Sequence, residues 1–155
     1  MRIMKMSFLQ APGLAVSLVL AGLVSGGAVA GEPAGISISN AWVRMIVPSR
    51  PAAGYFTLTN DSDTKATLTG ASSPGCGSTM LHQSVKENGT DKMVMVMSVD
   101  VPAHGTLSFA PAGYHVMCMA PTDAMKIGAK VPFTLTFGDG SSLTSDFEVK
   151  GPADK

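Results

Sequence analysis

The sequence predicts an all-β domain, an antiparallel β-sandwich or barrel of about nine short strands. Three observations carry that expectation. From Ile36 onward, alternating or β-branched runs recur between Gly, Pro, Asn and Asp punctuation. No stretch of helical length shows a 3.6-residue apolar period. Phe133-Thr-Leu-Thr-Phe137 alternates so cleanly that one of its faces must be apolar and the other wet.

Taken in order, the expected strands are 36–43, 53–60 after the Pro48-Ser49-Arg50-Pro51 break, and 65–71 after Asn60-Asp61. Next comes 79–85, following Ser73-Pro74-Gly75, and then 92–99 beyond Asn88-Gly89. Pro102, Pro111 and Pro121 bound 105–109 and 114–119. The last two runs, 131–137 and 143–150, flank Asp139-Gly140, a strong hairpin signal. No internal repeat and no second domain boundary is visible, so residues 31–150 read as one domain with a short polar tail, 151–155.

The first thirty residues read as an address. Arg2 and Lys5 precede an apolar run from about Leu14 to Val24, and small residues lead to Ala28-Val29-Ala30. That order of charge, apolar run and A-x-A site is a secretory signal, cleaved after Ala30. Ser17, Gly22, Ser25, Gly26 and Gly27 interrupt the run, against the roughly 20 apolar residues of a spanning helix. The expectation is an exported, periplasmic protein with no stable membrane insertion after cleavage.

Composition narrows function mostly by exclusion. The chain has 155 residues with 11 Lys+Arg against 11 Asp+Glu, and only 14% are charged, so there is no basic footprint for nucleic acid. The three histidines, His82, His104 and His115, lie in no G-x-S-x-G context, and no phosphate loop precedes a helix. The expectation is that the protein is not an enzyme.

The sulfur content stands out, with 11 Met against 2 Cys. Six of the methionines share the window 80–119 with all three histidines: Met80-Leu-His82, Met93-Val-Met95-Val-Met97 and His115-Val-Met117-Cys-Met119. Strand residues two apart share a face, so His82 lies with Met80, and His115 with Met117 and Met119. Thioether and imidazole form a soft donor set suited to Cu(I). Taken alone, the Met/Val alternation is what a strand with two buried faces looks like. Repeated His/Met pairing on two separate runs is what favours a metal site. His104 falls in Pro102-Ala103-His104-Gly105 and reads as an exposed turn residue; Trp42 and Tyr114 read as core or rim aromatics.

The spacing His82-x10-Met93-x21-His115-x-Met117 resembles that of the PCu(A)C family of periplasmic copper chaperones. The likeness extends through Ala41-Trp42-Val43-Arg44, Ala53-Gly-Tyr-Phe-Thr-Leu-Thr-Asn60, Gly70-Ala-Ser-Ser-Pro74, Val101-Pro102-Ala103 and Gly113-Tyr114-His115, and spans roughly residues 36 to 150. The resemblance implies a cupredoxin-like fold and one Cu(I) per chain on His82, Met93, His115 and Met117. It also implies delivery toward cytochrome c oxidase assembly, with a copper-accepting oxidase subunit or a thioredoxin-fold metallochaperone as partner. Some relatives carry a His/Met-rich C-terminal extension, whereas this chain ends Gly-Pro-Ala-Asp-Lys, so a single site is expected.

Two local questions accompany that assignment. If Asn88-Gly89 makes a two-residue hairpin, His82 faces Met95, Met80 faces Met97, and Met93 lies diagonal to His82. Met95 is therefore the reserve ligand. Cys76 and Cys118 admit three readings: a disulfide, favoured by export and an even count; two free buried thiols; or a ligand role for Cys118. The last would require a break in the strand, since Cys118 alternates with Met117. It is also what an electron-transfer copper site of the His2Cys type would need.

Overall fold

The structure, a computed structural model, describes residues 31–154; the expected signal segment and its cleavage point lie outside the described residues. The described chain is built of strands and turns. The ten strands are β1 (Ile36–Arg44), β2 (Ala52–Asn60), β3 (Ala66–Ser72), β4 (Cys76–Glu87), β5 (Thr90–Met95), β6 (Val99–Val101), β7 (Gly105–Phe109), β8 (Tyr114–Pro121), β9 (Lys130–Phe137) and β10 (Ser142–Lys150). Their order in the sheet is β5-β4-β8-β7-β2-β1-β10-β9-β3-β6. The sheet folds over so that β3 meets β4, and β6 meets β2 and β7, giving the two-layered, cupredoxin-like sandwich.

Short turns set most of the pairing. The hairpins β1/β2, β4/β5 and β9/β10 are antiparallel. Gly140, at φ 84°, supplies the left-handed residue in the β9/β10 turn. β7 and β8 both run along β2, one against its C-terminal half (Phe56–Asn60) and the other against its start (Ala52–Gly54). β1 and β10 pair in parallel, as do β7 and β8 at Phe109–Tyr114. These parallel pairs depart from the expected antiparallel arrangement, because no tight turn links β1 to β10 and only a turn announces its own pairing.

The count is ten strands rather than nine, because the expected run 92–99 breaks. The β4/β5 ladder ends as Val96 N–H donates to the Leu81 carbonyl. The chain then crosses to the other layer, where Val99-Asp100-Val101 pairs with β3 and buries both valines. Met97 is thereby outside a strand and has no ladder partner in Met80, contrary to the register expectation.

Alternation then sorts each strand into two faces. Phe56, Leu58, Leu68, Phe133, Leu135 and Phe147 fill the core. Phe56 stacks on Phe109 with ring centroids 4.4 Å apart, and Phe133 on Phe147 at 4.5 Å. On β4, Leu81 points inward, and on β8 Val116 and Cys118 do the same. That parity puts Met80, His82 and Ser84 on the outer face of β4, and His115 and Met117 on the outer face of β8.

Candidate metal centre

The outer face of β5-β4-β8 gathers the chemistry. Asn88 and Gly89 both have positive φ, 52° and 78°, as the mirror-image two-residue turn requires. That turn fixes His82 opposite Met95 and Ser84 opposite Met93. On the other side of β4, His82 lies opposite His115 and Met80 opposite Met117. The hydrogen bonds distinguish the two sides. Val96 and Leu81 form a bonded pair toward β5, which makes the adjacent His82–Met95 pair a narrow, non-bonded one, about 4.5 Å between Cα atoms. Ser84 N–H donates to Gly113 O at 3.0 Å, so His82–His115 is a bonded, wider pair at about 5.5 Å.

The two imidazoles meet edge to face, with ring centroids 5.7 Å apart and planes at 79°. A metal–imidazole bond is about 2 Å, so two rings on one ion hold their centroids about 5 to 6.5 Å apart. The observed separation fits. His115 is only 3% exposed, and its Nδ1–H donates to Gly113 O at 3.2 Å. A carbonyl accepts only, so Nδ1 carries the proton and Nε2 keeps its lone pair. Nε2 of His115 and Nδ1 of His82 are both buried with no hydrogen-bond partner. Buried polar atoms are nearly always satisfied, and a bound ion would explain an orphan on each of two facing rings. Burial pushes the His115 pKa below its ordinary value; the Gly113 carbonyl partly offsets this and neighbouring His82 adds to it. His115 is thereby kept neutral, the form that ligates.

Beside the rings lies a cavity of about 290 Å³, lined by His115, Met117, Met93, Ser84, Tyr55 and Arg44 among others. His115, Met117 and Met93 therefore share one cavity, with His82 adjoining His115. Met95, the reserve ligand, stands directly across from His82 but is not among the lining residues. Sequence reasoning gave Tyr55 and Arg44 no site role. Tyr55 backs His115 at 6.4 Å between rings, and the Arg44 guanidinium lies over Trp42 (5.1 Å) and Tyr55 (5.7 Å). No sequence signal pointed to them: Ala53, Tyr55 and Arg44 share the outer face with Met117 because Ala53 pairs with both Met117 and Arg44, a register that only the folded sheet supplies.

The core reading of the methionine strand does not hold. Met93, Met95 and Met97 are 63%, 62% and 79% exposed. Met45 and Met125 do fill the core, both 3% exposed, so this chain uses methionine in two distinct ways. Among the described residues no three His, Cys, Asp or Glu side chains come together in a way that could hold a metal, and the soft donors beside the two imidazoles are thioethers. Cys118 faces the core and is bonded to Cys76 across a Cα–Cα distance of 5.3 Å, which leaves no thiolate for a His2Cys site. His104 is exposed, with Nε2 2.8 Å from Asp63 Oδ1. Tyr114 faces away from His115 and packs on Phe109 at 5.6 Å.

Fold and face define a class: an all-β domain presenting two imidazoles among thioethers on one side of a sandwich. The chain belongs to the family described as "Putative lipoprotein LpqE-like", which matches residues 36–149. It is 34% identical over 117 residues to a protein of Leifsonia xyli subsp. xyli named "Putative lipoprotein Lxx21020", covering 75% of this chain and 70% of that one. An uncharacterized protein of Rickettsia prowazekii is 30% identical over 102 residues, 63% of this chain and 55% of the relative. Among solved structures, the Cu(I) form of DR1885 from Deinococcus radiodurans is 38% identical with a TM-score of 0.60, covering 74% of this chain and 77% of that one. The copper-bound PCuAC domain of PmoF2 has a TM-score of 0.64 at 23% identity, covering 76% and 94%, a likeness of fold. The expected kinship with PCu(A)C domains is thus met in fold and family.

Proposed function

We propose that this protein is an exported Cu(I)-binding metallochaperone, holding one ion on His82, His115, Met117 and Met93. The observation that carries the reading is the pair of buried, unpartnered imidazole nitrogens on rings 5.7 Å apart, set among exposed methionines. The Cu(I) form of the Deinococcus protein supports the choice of metal. All four donors are neutral, so the ion keeps its charge and the set favours the soft monovalent state. Neutral donors also release to a partner with thiolates or additional imidazoles by ligand exchange, with no redox step in this chain. Delivery toward cytochrome c oxidase, directly or through a thioredoxin-fold metallochaperone, and residence in the periplasm belong to the same proposal. The names given to its lipoprotein-like relatives agree with export.

Anaerobic competition titration against a chromogenic Cu(I) chelator tests it, paired with X-ray absorption. One equivalent with two nitrogen and two sulfur donors is expected. Absence of stoichiometric Cu(I) uptake would overturn the reading.

A further inference from the structure

The four proposed ligands leave Met80, Met95, Met97 and Met119 over, and two of these, Met80 and Met95, stand beside His82. Met95 stands across the narrow pair from His82, and Met80 lies two residues before it on the same face of β4. Neither lines the cavity that holds Met93, Met117 and His115. Met80 is 38% and Met95 62% exposed; Met93 is as open at 63%, so what sets Met95 apart is its place opposite His82, whereas Met93 stands opposite Ser84. Neither thioether is buried, so packing does not account for them.

We propose that Met80 and Met95 form a second, open Cu(I) position on the solvent side of His82, through which the ion passes between the cavity and a partner's soft donors. This rests on the Cu(I)-binding reading above and adds a route to it. His82 is common to both positions, so the chain still holds one ion at a time. In the exchange, the bonds to His115 nitrogen and to the Met93 and Met117 sulfurs break as bonds to the Met80 and Met95 sulfurs form. Copper stays monovalent. The incoming thioethers do not titrate, so they take the ion without releasing a proton.

The alternative geometry, direct attack by a partner on the cavity-bound ion, would leave the outer thioethers without a part in transfer. Rate and affinity separate the two. The experiment loads the full-length chain with one equivalent of Cu(I) and follows transfer to excess bicinchoninate by stopped flow, for wild type and Met80→Leu/Met95→Leu. Leucine keeps the volume and apolar character and removes the sulfur. Expected for the double variant is one Cu(I) per chain, an affinity within about threefold of wild type, and a transfer rate at least about tenfold slower. Transfer at the wild-type rate overturns the route. Affinity weaker by about tenfold or more also overturns it, because Met80 and Met95 would then belong to the resting site. Met93→Leu separates this from the parent reading. If wild type binds Cu(I) and Met93→Leu weakens it while the double variant transfers normally, only the outer position fails; if wild type binds none, both fail.

Discussion

Replacing Cys76 and Cys118 together by alanine should lower stability far more than it lowers metal affinity. The bridge closes a segment with a sequence separation of 42 between the Cα atoms of β4 and β8. Loop-closure entropy for that length gives about 4 kcal/mol, lost when the unfolded chain is no longer constrained. Each kcal/mol shifts the midpoint of a domain of this size by about 4 °C, so the double variant should melt about 15 °C lower. Metal affinity should stay within about threefold, because the β4/β8 ladder from Ser78–Met119 to Gln83–Tyr114 holds His82 against His115 without the bridge. Thermal denaturation of the apo-protein by circular dichroism measures the first, and chelator competition the second. A midpoint within about 5 °C of wild type would refute the entropy argument, and two alkylatable thiols in natively exported protein would refute the bridge itself.

Met93→Leu should weaken Cu(I) binding while Met95→Leu leaves it intact; the reverse pattern in the same titration would make Met95 the ligand. Acidification should weaken binding as protons compete for imidazole, and a flat affinity from about pH 8 to 5 would reject imidazole coordination. The apo-protein carries a related signature. His115 is held below its ordinary value of 6.5, so its contribution to stability is complete above that value and is lost as pH falls toward the lowered one. Urea midpoints of wild type and His115→Gln across that window should converge at low pH if this is right. Asn60 is fully buried, donating to the Thr64 and Val101 carbonyls and accepting from Ser62 N–H and Oγ–H. Asn60→Ala should cost about 3 kcal/mol by orphaning these partners, and a loss under about 1 kcal/mol by urea unfolding would show that they find others.

What the sequence discloses follows from how local the cause is. The Asn88-Gly89 turn is written in two residues, so the His82–Met95 register was legible, and with it the diagonal place of Met93. Parity alone set Met117 with His115 and turned Cys118 away from both. Three features were not legible. The parallel β1/β10 pairing joins segments with no turn between them. Asn60 looks like an ordinary strand terminator, and its four hydrogen bonds depend on a loop and on β6 arriving beside it. Tyr55 and Arg44 reach the site only because β2 lies next to β8.

The methionine strand is the instructive case, because two opposite structures share its pattern. Met-Val-Met-Val-Met suits a core strand with both faces covered, and it suits equally an edge strand with neither face covered. Position in the sheet decides, and β5 is at the end of the order, with Met93, Val94 and Met95 all exposed. Exposed apolar side chains on an edge strand invite pairing with other chains, and proteins ordinarily blunt such edges with charge, proline or a bulge. Here the charges sit beside the turn, in the Glu87–Lys92 and Lys86–Asp91 pairs, and the thioethers occupy the stretch facing His82 and Ser84. Polar residues there would remove the hazard with no loss to the core, since β5 buries nothing. A stretch that contributes little to packing and carries an aggregation hazard is best explained by what its sulfur atoms do for the histidines across the ladder.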